Sequence, residues 1–202
     1  MQNKFKLRLL EEFSSSNLHT KISLLEISTI DNMSIGMEWV KNNINAVLVG
    51  GTAVVNYLSS GRDLTPDVDY LVNNINDVKS KLTKDNIVFS DLKSSNGGTL
   101  GITVPKFNID FLDTNVGNKS LNSLILQSKT QTTIGGVSVD IIRPELLAIL
   151  KLDLGRTKDI SDGFALLQSG KVNKKNYITF VEGLKKYLND YESIIGYQDL
   201  IN

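Results

Sequence analysis

The sequence has no cysteine and a single histidine, His19, among its 202 residues. Without cysteine the chain can form no disulfide, no thiolate nucleophile and no cysteine-based zinc site. One histidine also argues against a histidine-rich metal centre and against a Ser-His-Asp hydrolase. Any acid–base or metal chemistry of this protein must therefore use carboxylates.

The chain has no excess of either charge, because 22 lysines and arginines balance 22 aspartates and glutamates. No overall electrostatic field therefore draws the protein to nucleic acid or to an anionic membrane. No apolar run approaches the ~20 residues that span a bilayer. The first residues, MQNKFKLRLLEEF, lack the apolar core of a signal peptide. We expect a cytoplasmic protein with no membrane partner.

Hydrophobic residues make up 41% of the chain and charged residues 22%, which is typical of a folded domain. The pattern along the chain predicts helices first, then a strand-rich region, then helices again. This order indicates an α/β or α+β fold, with a mixed β-sheet flanked by helices. We expect an N-terminal helical segment at 1–43, an α/β core at 44–143 and a helical C-terminal subdomain at 144–202.

Local patterns predict where these elements lie. Apolar, β-branched runs bounded by glycine or polar turns predict strands at 44–49, 67–72, 86–92, 98–105, 107–113 and 136–142. Helical spacing and capping signals predict helices at 4–13, 52–60, 74–84, 144–155, 160–170 and 174–191, with Asn74 as an N-cap. Residues 18–41 suggest one or two further helices, and LNSLILQS (121–128) is compatible with either helix or strand.

Two aspartates, Asp67 and Asp69, lie in DVDYLV, a segment that predicts a buried strand. Because strand side chains alternate between faces, both carboxylates point to the same side. They repel each other, and one must bind a proton unless a cation lies between them. Asp110 lies in a similar apolar strand, FNIDFLD. Three carboxylates on neighbouring strands suit a two-metal site that holds Mg²⁺ or Mn²⁺.

The segment VLVGG predicts a strand that ends at Gly50 and Gly51 and opens a helix. Backbone N–H groups at the start of a helix bind anions, and glycine lets a phosphate group approach closely. Thr52 can add a hydroxyl group to such a site. Arg62 precedes the acidic strand and can neutralise a phosphate or brace a carboxylate. We therefore expect Gly50, Gly51 and Thr52 to cradle a triphosphate.

The order of strand, Gly-Gly, helix, Asp-x-Asp and a later third Asp resembles the nucleotidyltransferase superfamily that includes DNA polymerase beta and the minimal nucleotidyltransferases. Three stretches, namely GGTAVVNYL, Arg62-x-x-Thr65 and RPELLAILKLDLGRTKDISD, are similar to the branch that contains AbiEii-type toxins. That resemblance implies that Lys151 contacts a nucleotide phosphate. It also implies that Thr65 belongs to the nucleotide site and that the stretch from Lys158 through Asp159 to Asp162 supports it.

The resemblance implies a Mg²⁺-dependent enzyme that moves a nucleoside monophosphate from a nucleoside triphosphate (NTP) to a hydroxyl acceptor. Asp67, Asp69 and Asp110 would be both catalytic and metal-binding. The acceptor stays open between an RNA end, a protein hydroxyl and a small molecule such as an antibiotic. A toxin would bring an antitoxin partner, whereas an antibiotic nucleotidyltransferase would protect cells.

Two alternatives from other classes also stay open. The chain could be a nucleotide-binding pseudoenzyme that keeps the fold without turnover, although the presence of all three acids argues against this. It could also be a structural protein whose acids have no common function, in which case removing one carboxylate would stabilise the fold without changing nucleotide affinity.

Overall fold

A seven-stranded mixed sheet forms the centre of the structure, a computed structural model that describes residues 24–58, 67–94 and 97–202. The strands are β1 (Ala46–Val49), β2 (Val68–Val72), β3 (Ser90–Lys93), β4 (Thr99–Val104), β5 (Ile109–Asp113), β6 (Thr130–Ile134) and β7 (Val137–Ile141). Their order across the sheet is β3-β4-β5-β2-β1-β7-β6. The β2–β5 and β1–β7 pairs are parallel, and the others are antiparallel.

Helices surround this sheet and fill the C-terminal part of the chain. They are α1 (Leu24–Asn43), α2 (Gly50–Leu58), α3 (Ile75–Lys84), α4 (Lys119–Gln127), α5 (Pro144–Leu154), α6 (Thr157–Gln168), α7 (Lys174–Gly183) and α8 (Tyr191–Gly196), followed by a 3₁₀ turn at Tyr197–Leu200. A mixed sheet flanked by helices confirms the predicted α/β (α+β) class. Within the described ranges, no helix combines the length and apolar character that crossing a membrane requires.

The two faces of β2 carry different chemistry because its side chains alternate. Tyr70 lies on one face and stacks on Phe111 of β5, with ring centroids 6.0 Å apart. Asp69 lies on the other face, directly beside Asp110 in the parallel β2–β5 register. One hydrophobic core includes buried residues of α1, of the sheet and of the C-terminal helices.

Several local predictions are confirmed. Asn74 caps α3, because its side chain accepts a hydrogen bond from the backbone N–H of Asn76. Helix α5 has Pro144 in its first turn and ends at Gly155, which adopts the left-handed conformation. The ambiguous segment LNSLILQS forms most of helix α4. The described part of 18–41 belongs to one helix, α1. The helix predicted at 4–13 lies outside the described residues.

Other boundaries were wrong. The strand predicted at 86–92 begins only at Ser90, because the chain leaves α3 through Asn86 in a left-handed conformation and Val88 is exposed. The helix predicted at 174–191 stops at Gly183. Strand β6 was missed because its sequence, TQTTI, is polar and lies at a sheet edge. Its signal was the Gly135-Gly136 pair, whose two positive φ angles suit a tight hairpin turn.

Gly36 lets α1 approach β5 closely. A Cβ atom at this position would lie 2.5 Å from Phe107 Cβ and 2.7 Å from Ile109 Cδ1. Gly183, at the end of α7, has open space around the same position. Both glycines are helical, so the two sites differ in packing rather than in backbone conformation.

We predict that Gly36→Ala destabilises the protein by about 1–3 kcal/mol, because the added methyl group overpacks the contact between α1 and the sheet. Gly183→Ala serves as the matched control and should be neutral or stabilising by up to about 1 kcal/mol, since it gains only helix propensity. Urea unfolding of the two variants and the wild type measures both values. Equal effects would show that α1 does not pack tightly on β5.

Candidate active site

Three carboxylates converge at one end of the paired strands β2 and β5. Asp67 lies directly before β2, Asp69 lies within it, and Asp110 is its neighbour on β5. One carboxylate oxygen from each residue lies within 4.8 Å of the other two. All three side chains are only partly buried, so the cluster is accessible from outside. The structure therefore brings together the three acids that the sequence analysis selected.

The cluster raises the pKa values of its own members. Burial raises the pKa of Asp69 to about 6, and the charges of Asp67 and Asp110 add to the effect. Burial also raises the pKa of Asp110, with a further contribution from Asp67, while a hydrogen bond from the Thr103 side chain acts in the opposite direction. The folded protein thus holds like charges together at an energetic cost that a bound cation would offset.

The donor set fits a hard divalent cation. Mg²⁺ and Mn²⁺ prefer oxygen ligands and are commonly held by one or two carboxylates together with substrate phosphates. Asp67, Asp69 and Asp110 offer three carboxylates at a spacing that allows them to share ions. Among the residues that the structure describes, no histidine or cysteine joins this cluster, and softer transition metals prefer such ligands.

Only glycine fits at position 50, which follows β1 and lies against the Asp69 carboxylate of β2. It adopts a φ of +67°, and a Cβ atom added there would overlap the Asp69 carboxylate. Gly51 follows in the first turn of α2, and its backbone N–H donates a hydrogen bond to Asp69. The glycine pair therefore seats a carboxylate against the start of a helix, where the partial positive charge is favourable for an anion.

Thr52 holds the backbone of Asp67 in place. Its Oγ1 donates a hydrogen bond to the backbone carbonyl of Asp67 at 3.0 Å, and its side chain is buried. This bond joins α2 to the residue directly before β2, so helix and strand hold the two aspartates together. Sequence reasoning assigned Thr52 to phosphate, and that role stays a prediction beside this structural one.

Lys151 is buried within a network of charges between α5 and α6. Its Nζ lies 2.7 Å from Asp159 Oδ1 and 3.4 Å from Asp162 Oδ2, and all three residues are buried. Arg156, largely exposed, pairs with the second oxygen of Asp159. Burial acts to raise the pKa of Asp159, but the hydrogen bonds and charges of Lys151 and Arg156 outweigh it and hold the pKa below its ordinary value.

The Lys151 charge also reaches the acidic cluster. It acts to lower the pKa of Asp69, against the larger effect of burial. Helix α2, which carries the glycine pair, packs against both α5 and α6. The structure buries Lys151, Asp159 and Asp162 together.

Of the remaining predicted site residues, the structure describes Lys158 but not Arg62 and Thr65. Lys158 is exposed on the first turn of α6. Arg62 and Thr65 lie outside the described residues. Sequence reasoning missed Thr103, and it included Arg156 only as part of the stretch RPELLAILKLDLGRTKDISD, without a role of its own. Thr103 becomes visible only through the antiparallel β4–β5 register, which places it opposite Asp110, and Arg156 could have been found from its spacing of three residues before Asp159 on a helix.

Comparison with known proteins decides the family. Residues 31–193 match the family described as "Nucleotidyl transferase of unknown function (DUF2204)". The chain belongs to this family of nucleotidyltransferases. A comparison with curated proteins finds no match.

Solved structures show what this nucleotidyltransferase resembles in fold. The polyadenylate synthase of Megavirus has a TM-score of 0.50 and 14% identity, and the match covers 91% of this chain but 42% of that one. An antigenic nucleotidyltransferase-like protein from Paracoccidioides brasiliensis matches over 84% of this chain and 92% of its own, with a TM-score of 0.49 and 18% identity. At this identity the first likeness supports the fold of the enzyme and leaves its substrates open.

The pKa of Asp69 gives a pH-dependent stability that can be measured. The pKa of Asp69 in the folded protein, about 6, lies above the ordinary 3.8. The stability that comes from binding this proton is therefore fully present below pH ~4 and is lost as the pH rises through ~6. In EDTA, we expect the free energy of unfolding of the wild type, relative to that of Asp69→Asn, to fall by on the order of 2–3 kcal/mol as the pH rises across this interval. Urea titrations between pH 4 and 8 measure the difference, and a flat difference would contradict the shift.

Lys151 should be far more important to stability than its exposed neighbour Lys158. Lys151→Met removes the ammonium group from two buried carboxylates and should cost about 3 kcal/mol or more. Lys158→Met changes a solvated side chain and should stay within about 0.5 kcal/mol of the wild type. Thermal and urea unfolding of both variants test this. Similar stabilities would mean that the ammonium group of Lys151 is not required by the buried acids.

Proposed function

We propose that this enzyme transfers a nucleoside monophosphate from an NTP to a hydroxyl acceptor, with divalent cations held by Asp67, Asp69 and Asp110. The observation that carries the proposal is the approach of three carboxylate oxygens to within 4.8 Å of one another at an accessible place. A fold gains nothing from such repulsion, so an arrangement of this kind favours a function that supplies positive charge.

Magnesium is the cation that fits the proposal, and when bound it would supply electrostatic stabilisation of the phosphate oxygens. The reaction forms a bond between the acceptor oxygen and the α-phosphorus and breaks the bond from that phosphorus to the β-phosphate oxygen. Pyrophosphate leaves, and the acceptor proton passes to a base. Asp110, oriented by Thr103, is the group that we assign to receive this proton.

The triphosphate would lie at the start of helix α2, beside the acids. Gly50, Gly51 and Thr52 form this helix start, where the backbone N–H groups of the first turn and the helix dipole favour phosphate. Because the N–H of Gly51 already donates to Asp69, it aligns the metal ligand as well as lining the phosphate site. Arg62, Thr65 and Lys158 complete the proposed set of groups that contact the nucleotide.

Lys151 has a distinct part in this proposal. Its pairing with Asp159 and Asp162 fixes the ammonium group near Asp69, where it offsets charge that develops on the phosphates in the transition state. Asp159 serves the site by holding Lys151 in place. Catalysis in this scheme consists mainly of positioning and electrostatic stabilisation, as in phosphoryl transfer generally.

The acceptor is the finer part of the proposal. Resemblance of the RPELLAILKLDLGRTKDISD stretch to AbiEii-type toxins favours a toxin acting on RNA or on a protein, with an antitoxin partner. Expression of the wild type alone should then arrest growth, and the Asp67→Asn/Asp69→Asn variant should not. Protection of cells against an antibiotic would instead support transfer to a small molecule.

A thermal-shift panel with ATP, GTP, CTP and UTP, each with and without Mg²⁺, tests the donor site. We expect one or more NTPs to stabilise the wild type only when Mg²⁺ is present, by about 2.7 kcal/mol at a hundredfold excess over the dissociation constant. Asp67→Asn/Asp69→Asn should abolish the shift. Asp91→Asn is the matched control, because Asp91 is exposed and lies on β3 at the edge of the sheet.

Two results would separate the alternatives. A metal-dependent NTP shift without pyrophosphate release, in the presence of cell extract as a source of acceptor, would support a pseudoenzyme. The absence of any shift with all four NTPs would contradict the nucleotide site itself. A shift that persists in the double variant would show that the NTP binds away from the three aspartates.

A further inference from the structure

The sheet face that carries the acidic cluster continues beyond the cluster onto strands β4 and β3. The registers align Asp69 with Asp110, Asp110 with Thr103, and Thr103 with Ser90. Directly paired residues of neighbouring strands point to the same face of a sheet. These four side chains therefore form one row across the sheet, which we call the transverse row. It runs from the acids on β2 and β5 to β3, the outermost strand on this side.

The two faces of this part of the sheet are covered to different extents. On the opposite face, Ile102 of β4 and Phe111 of β5 are completely buried. On the face of the transverse row, Asp110 and Thr103 are partly buried and Ser90 is exposed. The outer part of the row is therefore open to a molecule that approaches Asp110 from the side of β3.

Helices occupy the other side of the acids. Helices α2 and α4 pack against β1 and β2, and the N–H of Gly51 in α2 donates to Asp69. The proposed function places the triphosphate there, at the start of α2. In phosphoryl transfer the attacking and leaving oxygens lie roughly in line on opposite sides of the phosphorus. A triphosphate on the α2 side therefore leaves the side of β4 and β3 for the acceptor.

Asp110 is the acid of the cluster that borders this open side. Thr103 is its direct neighbour on β4, and the Thr103 side chain forms a hydrogen bond with the Asp110 carboxylate. A hydroxyl group that gives its proton to Asp110 must come within hydrogen-bond distance of that carboxylate. The rest of the acceptor then lies over Thr103 and extends towards Ser90.

The surface beside the outer part of the row is uncharged. The next row of the same face consists of Leu112, Gly101 and Leu92. The charged side chain of Asp91 in β3 points to the opposite face, where it forms an ion pair with Lys79 of α3. An acceptor on this surface therefore meets hydroxyl groups and aliphatic side chains.

The lysines closest in sequence to these residues are directed elsewhere. Lys106 lies in the turn between β4 and β5, with its Nζ 5.5 Å from the centroid of the Phe107 ring. Phe107 packs beside Gly36 of α1, on the opposite face of the sheet. Lys93 lies beyond a register shift, at the end of β3 away from the acids. Within the described ranges, the surface around Ser90 thus offers no basic group to RNA phosphates.

We propose that Thr103 and Ser90 form the acceptor side of the active site, and that the acceptor is an uncharged hydroxyl group of a protein, on serine, threonine or tyrosine. The inference rests on the proposed nucleotidyl transfer. The acceptor oxygen bonds to the α-phosphorus, its proton passes to Asp110, and pyrophosphate leaves on the side of α2. RNA would require basic partners for its phosphates, and a cationic antibiotic would require carboxylates along the outer part of the row.

Labelling of a cell extract with the four NTPs, each radiolabelled at the α-phosphate and supplied with Mg²⁺, tests the proposal. Digestion with protease or ribonuclease identifies the labelled material. We expect the wild type to label protein. Ser90→Trp should lower the rate of labelling by tenfold or more, because the indole ring occupies the acceptor side. Asp91→Trp, which places the same ring on the opposite face, should label protein at the wild-type rate.

Binding of the donor is the control for an intact site. Ser90→Trp should keep the Mg²⁺-dependent thermal shift with NTP and the melting temperature of the wild type. Ser90 is exposed on an edge strand, where tryptophan is well tolerated. Ser90→Arg repeats the block if Ser90→Trp folds poorly. The added positive charge should not rescue labelling of an uncharged acceptor, whereas it would strengthen binding of RNA.

Each opposite result has a separate meaning. A wild type that labels nothing in the extract would contradict the proposed function, and this inference with it. Equal labelling of protein by the wild type and Ser90→Trp would contradict the acceptor side alone. Label that ribonuclease removes, or stronger labelling by Ser90→Arg, would overturn the protein acceptor. Loss of the thermal shift in Ser90→Trp would place the donor on this surface.

Discussion

Repulsion among three carboxylates is the constraint on which the rest of this structure depends. Asp67, Asp69 and Asp110 lie within 4.8 Å of one another, and their mutual charge opposes the fold that assembles them. The parallel β2–β5 register holds two of them side by side. Gly50 and Gly51 receive the Asp69 carboxylate at a helix start. The backbone thus holds three carboxylates close together although their charges repel. Such an arrangement is expected where function rather than stability selects the residues.

The helical C-terminal part contains Lys151, whose positive charge partly offsets the negative charge of this cluster. Helices α5 and α6 bury Lys151 between two aspartates, at a distance from which its charge still acts on Asp69. A buried ion pair contributes little net stability compared with apolar packing. In the proposed function, the network fixes one cation near Asp69, so α5 and α6 would contribute to the site.

Strand β2 connects two different environments. Its Asp69 face carries partly buried carboxylates, whereas its Tyr70 face is buried and packs on Phe111.

The sequence by itself determined the chemistry and much of the local structure. A lack of cysteine and a single histidine left carboxylates as the candidate reactive groups, strand alternation placed Asp67 and Asp69 on one side, and helix and turn signals located α3 and α5. Only the tertiary structure decided that Thr103 faces Asp110, that Lys151 is buried between Asp159 and Asp162, and that Tyr70 stacks on Phe111. Short-range patterns fix which face a side chain takes, but they cannot fix which strands and helices become neighbours, because that choice depends on the packing of the whole core.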